Sequence, residues 1–152
     1  MIRGINSATL DAKGRMALPA RLREMFALAS DSKAVVTVDV RDSCLLMYPL
    51  NEWEVVQQAI EGLSNFDHQV RRLQRMLIGH ATDLELDSAG RVLLPSMLRE
   101  YAQLEKKLVL VGQSNKIEIW SEPVWYASRD EWREEGATAL AANAERFEHV
   151  KI

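Results

Sequence analysis

Two short stretches of this chain carry residue types that could do chemistry at a useful spacing. Asp11, Gly14 and Arg15 form an Asp-x-x-Gly-Arg unit, and Asp87, Gly90 and Arg91 form it again 76 residues later. An Asp that opens a tight turn can bond backbone amides two residues on, and a Gly that closes it tolerates positive φ. Turn chemistry therefore accounts for Asp11, Gly14, Asp87 and Gly90. It explains less of Arg15 and Arg91. They can pair back onto their aspartates, yet a guanidinium projected from a rigid turn also matches phosphate oxygens and the major-groove edge of guanine.

The units belong to a longer repeat. LDAKGRMALPARLRE at 10–24 and LDSAGRVLLPSMLRE at 86–100 keep nine of fifteen positions in register. A repeat of half the chain length implies two copies of a unit too small to bury a core alone, so the copies should pack on each other in about one domain.

The elements that must hold these residues follow from the hydrophobic pattern. Ala8 to Pro19 reads as two short strands around the turn, with Met16 to Leu18 continuing the strand and ARLREMF forming a short helix. Ala34–Val40 and Cys44–Tyr48 read as strands separated by a turn at 39–43. Asn51 is placed to cap the next helix, Gly62 to close it, and Ser64–Gly79 reads as a second helix linking the copies. The plan then recurs: a hairpin at 81–95, a short helix to Tyr101, strands at 108–111 and 116–120, and a helix after Ser121-Glu122-Pro123. Tyr48 and Trp53 match Trp120 and Trp125. The expected division is 1–50 and 81–124 as the repeated units, 51–80 as a helical linker and 125–152 as a helical tail, helical from Glu131 to Ile152 where ordered.

Charge separates the copies. The net charge is −3, but residues 1–25 carry Arg3, Lys13, Arg15, Arg21 and Arg23 against Asp11 and Glu24 alone, whereas acids dominate from Ser121 onward. In copy two, Ala89 and Met97 replace Lys13 and Arg21, while Asp83 and Glu85 replace Ser7 and Thr9. The first hairpin is therefore the expected nucleic-acid face, with Arg15 at a groove and Lys13, Arg21 and Arg3 on phosphates. Arg23 could join them or bond back into the fold. The second hairpin suits internal pairing or subunit contact, with Arg91 and Arg99 keeping a second DNA contact open. Arg71, Arg72 and Arg75 on the linker helix are the rival basic surface, and Trp53 and Trp125 read as core.

Other classes find little support. His68, His80 and His149 are dispersed, and no nucleophile motif, phosphate loop or metal spacing accompanies them, so no enzyme, metal, cofactor or small-molecule substrate is expected. No apolar run approaches a membrane span, the first residues lack a signal-peptide core, and the lone Cys44 makes no internal disulfide, which points to a cytosolic protein.

The paired segments resemble the swapped-hairpin barrel motif of AbrB-type DNA-binding proteins. Two tandem copies, together with GINSATLD, CLLMYPLNEWE, RRLQRMLIGHA and LVGQSNKIEIW, make the chain similar to the MraZ family. The resemblance implies an α+β fold in which two SpoVT-AbrB-like units interleave as a pseudo-twofold, double-psi swapped-hairpin β-barrel flanked by helices. It implies a cytoplasmic, nucleoid-associated regulator that binds promoter direct repeats in double-stranded DNA upstream of the division and cell-wall gene cluster, represses its own operon and forms ring-shaped homo-oligomers. The family's Asp-x-x-x-Arg contact falls on Asp11 and Arg15, and again on Asp87 and Arg91. Two alternatives remain: an antitoxin-like module of the same fold, and a structural scaffold whose arginines serve subunit contacts.

Overall fold

A computed structural model describes residues 1–151. The first copy supplies β1 (Ile2–Thr9), β2 (Arg15–Ala17), α1 (Ala20–Ser30), β3 (Lys33–Val38), β4 (Leu45–Pro49), α2 (Leu50–Glu61) and α3 (His68–Leu77). The second supplies β5 (Thr82–Glu85), β6 (Arg91–Leu93), α4 (Ser96–Tyr101), β7 (Lys107–Ser114) and β8 (Ile117–Ser121), followed by α5 (Glu122–Ala142) and α6 (Ala144–Phe147). This is a mixed α+β fold. One compact unit spans Met1–Ser121 and holds all the described strands; Glu122–Ile152 forms another.

The copies are interleaved rather than adjacent. The antiparallel sheet runs β1-β7-β8-β4-β3-β5, and β2 pairs with β6 in a separate two-stranded ribbon. Exchanging each strand for its counterpart in the other copy reads the same order backwards. β1 crosses to β7, from Ile2↔Ser114 to Thr9↔Lys107, and β5 crosses to β3, from Lys33↔Glu85 to Val36↔Thr82. At the centre β4 meets β8 through Leu45↔Ile119 and Met47↔Ile117.

This corrects the expected hairpins. The turns form, but their two arms meet in an isolated bridge, Leu10↔Met16, and β1 and β2 each pair with a strand of the other copy. Alternation of side chains fixes which face of a strand is buried; it does not name the backbone that completes the ladder.

The core is shared in the same way. Met16, Leu18, Phe26, Val36, Leu45 and Met47 from copy one join Val92, Leu94, Leu98, Leu108, Leu110 and Ile119 from copy two in one buried cluster. β3 and β4 are buried almost throughout, which is why KAVVTV and LLMYP read as continuous apolar runs without alternation. Thr37, buried among them, donates from Oγ1 to Leu77 O at 2.6 Å and ties α3 to β3.

Prolines start three helices. Pro19, Pro49 and Pro95 each hold the position before α1, α2 and α4, with φ between −55° and −58° and no capping side chain. Asn51 is therefore inside the first turn of α2 rather than its cap, and Gly62 closes that helix in a right-handed conformation. α3 is shorter than Ser64–Gly79 because Asp67 caps it, accepting the Gln69 amide at 2.8 Å. In the C-terminal unit Trp125 and Trp132 stand edge to face, 5.7 Å apart, one helical register along α5. The helical expectation for the tail holds over α5 and α6, with Ile152 outside the described residues.

Candidate nucleic-acid interface

Each motif folds into the same small hydrogen-bonded device. Asp11 Oδ1 accepts the amides of Lys13 and Arg15, both at 2.9 Å, and Oδ2 accepts Arg15 Nε at 2.8 Å. Asp87 repeats this with the amides of Ala89 and Arg91 at 2.9 Å and with Arg91 Nε at 3.0 Å. Backbone bonds close the loops: Gly14 N to Asp11 O at 3.0 Å and Gly90 N to Asp87 O at 2.9 Å. Gly14 and Gly90 have φ of 83° and 72°, a left-handed geometry that side-chain-bearing residues seldom adopt. The amide of the motif arginine is the chief reason that each carboxyl titrates below the ordinary aspartate value; desolvation opposes it, and the arginine's side-chain bond and the second turn amide add to the lowering.

The device points the arginines outward. Nε is engaged by the carboxylate, leaving Nη1 and Nη2 of both Arg15 and Arg91 without hydrogen bonds among the described residues. Their side chains are 32% and 38% exposed. A guanidinium held by one edge keeps a planar fork of donors free for a carboxylate, a phosphate or a guanine.

The ribbon then brings the two forks together. β2 and β6 pair as Arg15↔Leu93, Met16↔Val92 and Ala17↔Arg91. Met16 and Val92 are buried, so Arg15, Ala17, Arg91 and Leu93 share the opposite, outward face. Arg15 and Arg91 are diagonal neighbours, about 7–8 Å apart at that register. That is roughly two base steps of 3.4 Å, and a two-stranded ribbon is one of the two elements that the major groove admits.

The interleaving also redistributes charge. Arg23 lies against Gly90, with Nε donating to Leu18 O at 2.8 Å and Nη1 to Ala89 O at 3.3 Å. Arg99 lies against Gly14 in the matching position, with Nε donating to Leu94 O at 3.0 Å. Copy one's arginine thus sits at copy two's turn and the reverse. The contrast between a basic first hairpin and an acidic second one does not map onto two surfaces, because both turns flank one ribbon.

The remaining cations are elsewhere. Lys13 stays in the first turn beside Arg15. Arg3, opposite Gln113 on β1, and Arg21 on α1 line one hollow with Gly112 and Ser114. Six residues of strand, about 20 Å, separate Arg3 from the turn end of β1. On α3, Arg72 and Arg75 are exposed, while Arg71 hydrogen-bonds His68 Nδ1 at 2.7 Å and buries its Nε without a partner.

One cluster was invisible in the sequence. Asp39, Cys44 and Glu118 bring a thiol and two carboxylates within 4.8 Å. Asp39 Oδ1 is already committed to the amides of Arg41 and Asp42, and burial, with the nearby carboxylates, pushes the Cys44 thiol far up. Cys44 Sγ lies 3.8 Å from Asp39 Oδ2 as its donor, so the cluster also ties the turn at 39–44 together. No local spacing could have joined residues 39–44 to 118. Leu93 was also missed as part of the site, and Arg99, expected as a possible second contact, is instead the repeat partner of Arg23 at the Gly14 turn.

The architecture thus defines a class: an internally duplicated α+β protein whose repeated motifs converge on one arginine-bearing β-ribbon. The family model described as "MraZ protein, putative antitoxin-like" matches residues 1–76 and again 77–147. A transcriptional regulator MraZ of Marinomonas sp. is 55% identical over 137 residues, covering 90% of this chain and 91% of that protein. Regulators of the same name from Thioalkalivibrio sulfidiphilus and Hydrogenovibrio crunogenus are 55% and 54% identical, over 91% and 85% of this chain and 93% and 85% of theirs. The chain belongs to the MraZ family. Its relatives are named as regulators and not as enzymes, in line with the lack of catalytic signatures in the sequence. No described helix is long and apolar enough to cross a membrane.

Proposed function

We propose that this chain is a sequence-specific, double-stranded DNA-binding transcriptional regulator that reads bases through the β2–β6 ribbon. The observation that carries this reading is the pair of arginines on one outward face, each fixed by its own aspartate with its terminal nitrogens free. Ordering these side chains during folding leaves less rotamer entropy to be lost on binding. Arg15 and Arg91 are the base-contacting residues, Lys13 a phosphate contact, and Arg3 and Arg21 an outlying phosphate patch. Asp11, Gly14, Asp87 and Gly90 are the frame, and Arg23 holds it together.

We read the exchange of β1 and β5 between copies as the swapped-hairpin barrel of AbrB-type proteins. One ribbon offers few phosphate contacts, and contacts this few bind weakly at physiological salt. A ring-shaped homo-oligomer of such ribbons would gain avidity on suitably spaced direct repeats in its own promoter, upstream of the division and cell-wall genes. It would repress by occupancy, in the cytoplasm on the nucleoid.

Fluorescence anisotropy on a promoter duplex and a scrambled control tests this for wild type, Arg15→Ala and Arg91→Ala. Both variants should lose most of the preference for the promoter while the oligomer persists. Loss of assembly with Arg15→Glu would instead make the arginines subunit contacts.

A further inference from the structure

The ribbon's outward face breaks its two-fold symmetry where one large side chain is exposed. Directly opposite Arg15 stands Leu93, 57% exposed, whereas the position opposite Arg91 is Ala17. The turn hydrogen bonds, the inward Met16 and Val92, and the Nε latch bonds of Arg23 and Arg99 are matched around this pair; the other difference nearby is polar, Lys13 in the first turn where the second has Ala89. Leu93 is not needed for the core, because its neighbour Leu94 is fully buried and serves there. A lone exposed leucine is ordinary on a surface. This one stands at a cross-strand distance of about 5 Å, measured between Cβ atoms, from an arginine with a free fork.

On a face that enters the major groove, an apolar side chain has one matching feature on an unmodified base pair, the C5-methyl group of thymine. We propose that Leu93 contacts the methyl of a thymine beside the base held by Arg15, and that this contact gives the ribbon a direction on the duplex. Two arginines related by a two-fold read a site equally well either way round, which suits palindromes. With Leu93 on one half and Ala17 on the other, one orientation gains a contact that the reverse lacks. Copies bound along one duplex would then face the same way. The inference rests on the ribbon being the base-reading element.

The test begins with duplexes selected from a random library by the wild-type protein. Each thymine is replaced singly by uracil, which removes the methyl and keeps the hydrogen-bonding edge. One thymine per bound repeat should matter, its replacement weakening wild-type binding about fourfold, the effect of one buried methylene-sized group. Leu93→Ala should bind the thymine duplex as weakly as wild type binds the uracil one, and should ignore the replacement. Exchanging the pair, Leu93→Ala with Ala17→Leu, should move the methyl dependence to the other half of the site. Unfolding midpoints of the variants check that the fold is intact. If Arg15→Ala keeps the full wild-type preference for the selected duplexes over scrambled ones, the base-reading role of the ribbon fails. If Arg15 matters but Leu93→Ala keeps the full uracil penalty, or no thymine shows one, the role of Leu93 is overturned.

Discussion

Arg23 lies across Gly90 of the other repeat so closely that a Cβ on that glycine would stand 2.0 Å from the arginine's Cδ. The glycine's missing side chain is thus the seat of the latch, and Arg23 spends its donors on the carbonyls of Leu18 and Ala89. Gly90→Ala meets two obstacles: a φ of 72°, at about 1–2 kcal/mol for a left-handed alanine, and a displaced Arg23. Urea unfolding should show at least that loss. Gly136→Ala is the contrast, because its Cβ meets nothing within 4 Å inside α5 and should raise helicity by about 0.5–1 kcal/mol. An unchanged midpoint for Gly90→Ala would remove the latch from this account.

Acid should loosen the turns only below the ordinary aspartate range. The carboxyls of Asp11 and Asp87 titrate below their ordinary value when folded, chiefly because each accepts the amide of its motif arginine. A depressed folded pKa stabilises above the unfolded value of about 3.9, and that contribution disappears as pH falls through the folded one. The difference in stability between wild type and Asp11→Asn should therefore be flat above about pH 5 and shrink below about pH 4. Carboxyl titration followed by NMR, with the Arg15 amide shift moving in step, is the direct check. A difference that grows on acidification would reverse the sign and defeat the argument.

Phosphate contacts are read from salt. Lys13→Ala should reduce the slope of log K against log salt by about one unit for every sequence, without changing sequence preference. Arg3 lies about 20 Å along β1 from the turn, or roughly six base pairs of duplex, and Arg21 on α1 lines the same hollow. Their joint replacement by Ala should leave the slope unchanged on a duplex trimmed to the ribbon's groove and flatten it on one extended beyond. Equal effects on both lengths would put that patch beside the ribbon.

Cys44 should be inert in the folded protein. It is fully buried, and desolvation first, then the charges of Glu118 and Asp39, push its thiol far up. Thiol-disulfide reagents at pH 8 should react only as fast as the fold opens, so the labelling rate should rise with urea in step with unfolding. Fast labelling of native protein would mean that the loop at 39–43 opens on its own.

The motif turns were fully legible because every bond that builds them joins residues at most four apart in the chain. The helix after each motif was legible for a similar reason, since Pro19 and Pro95 mark its start locally. Asn51 failed as a cap because the proline two residues earlier set the helix start first. The strands at 34–40 and 44–48 were found to within two residues, as long apolar runs are when both faces are covered.

The repeat by itself determined that there are two copies, that they share a core, and that Asp, Gly and Arg recur in one device. Strand partners were decided only by tertiary structure. A ladder joins whichever backbones lie side by side, and side-chain alternation is blind to that. The same exchange decided the site, carrying Arg23 to the Gly90 turn and Arg99 to the Gly14 turn, and setting Arg15 and Arg91 on one ribbon face with Leu93 opposite Arg15. Charge summed along the sequence separated the copies, whereas charge felt by a partner depends on distance through space, and the interleaved fold brings the two motifs within one groove's width.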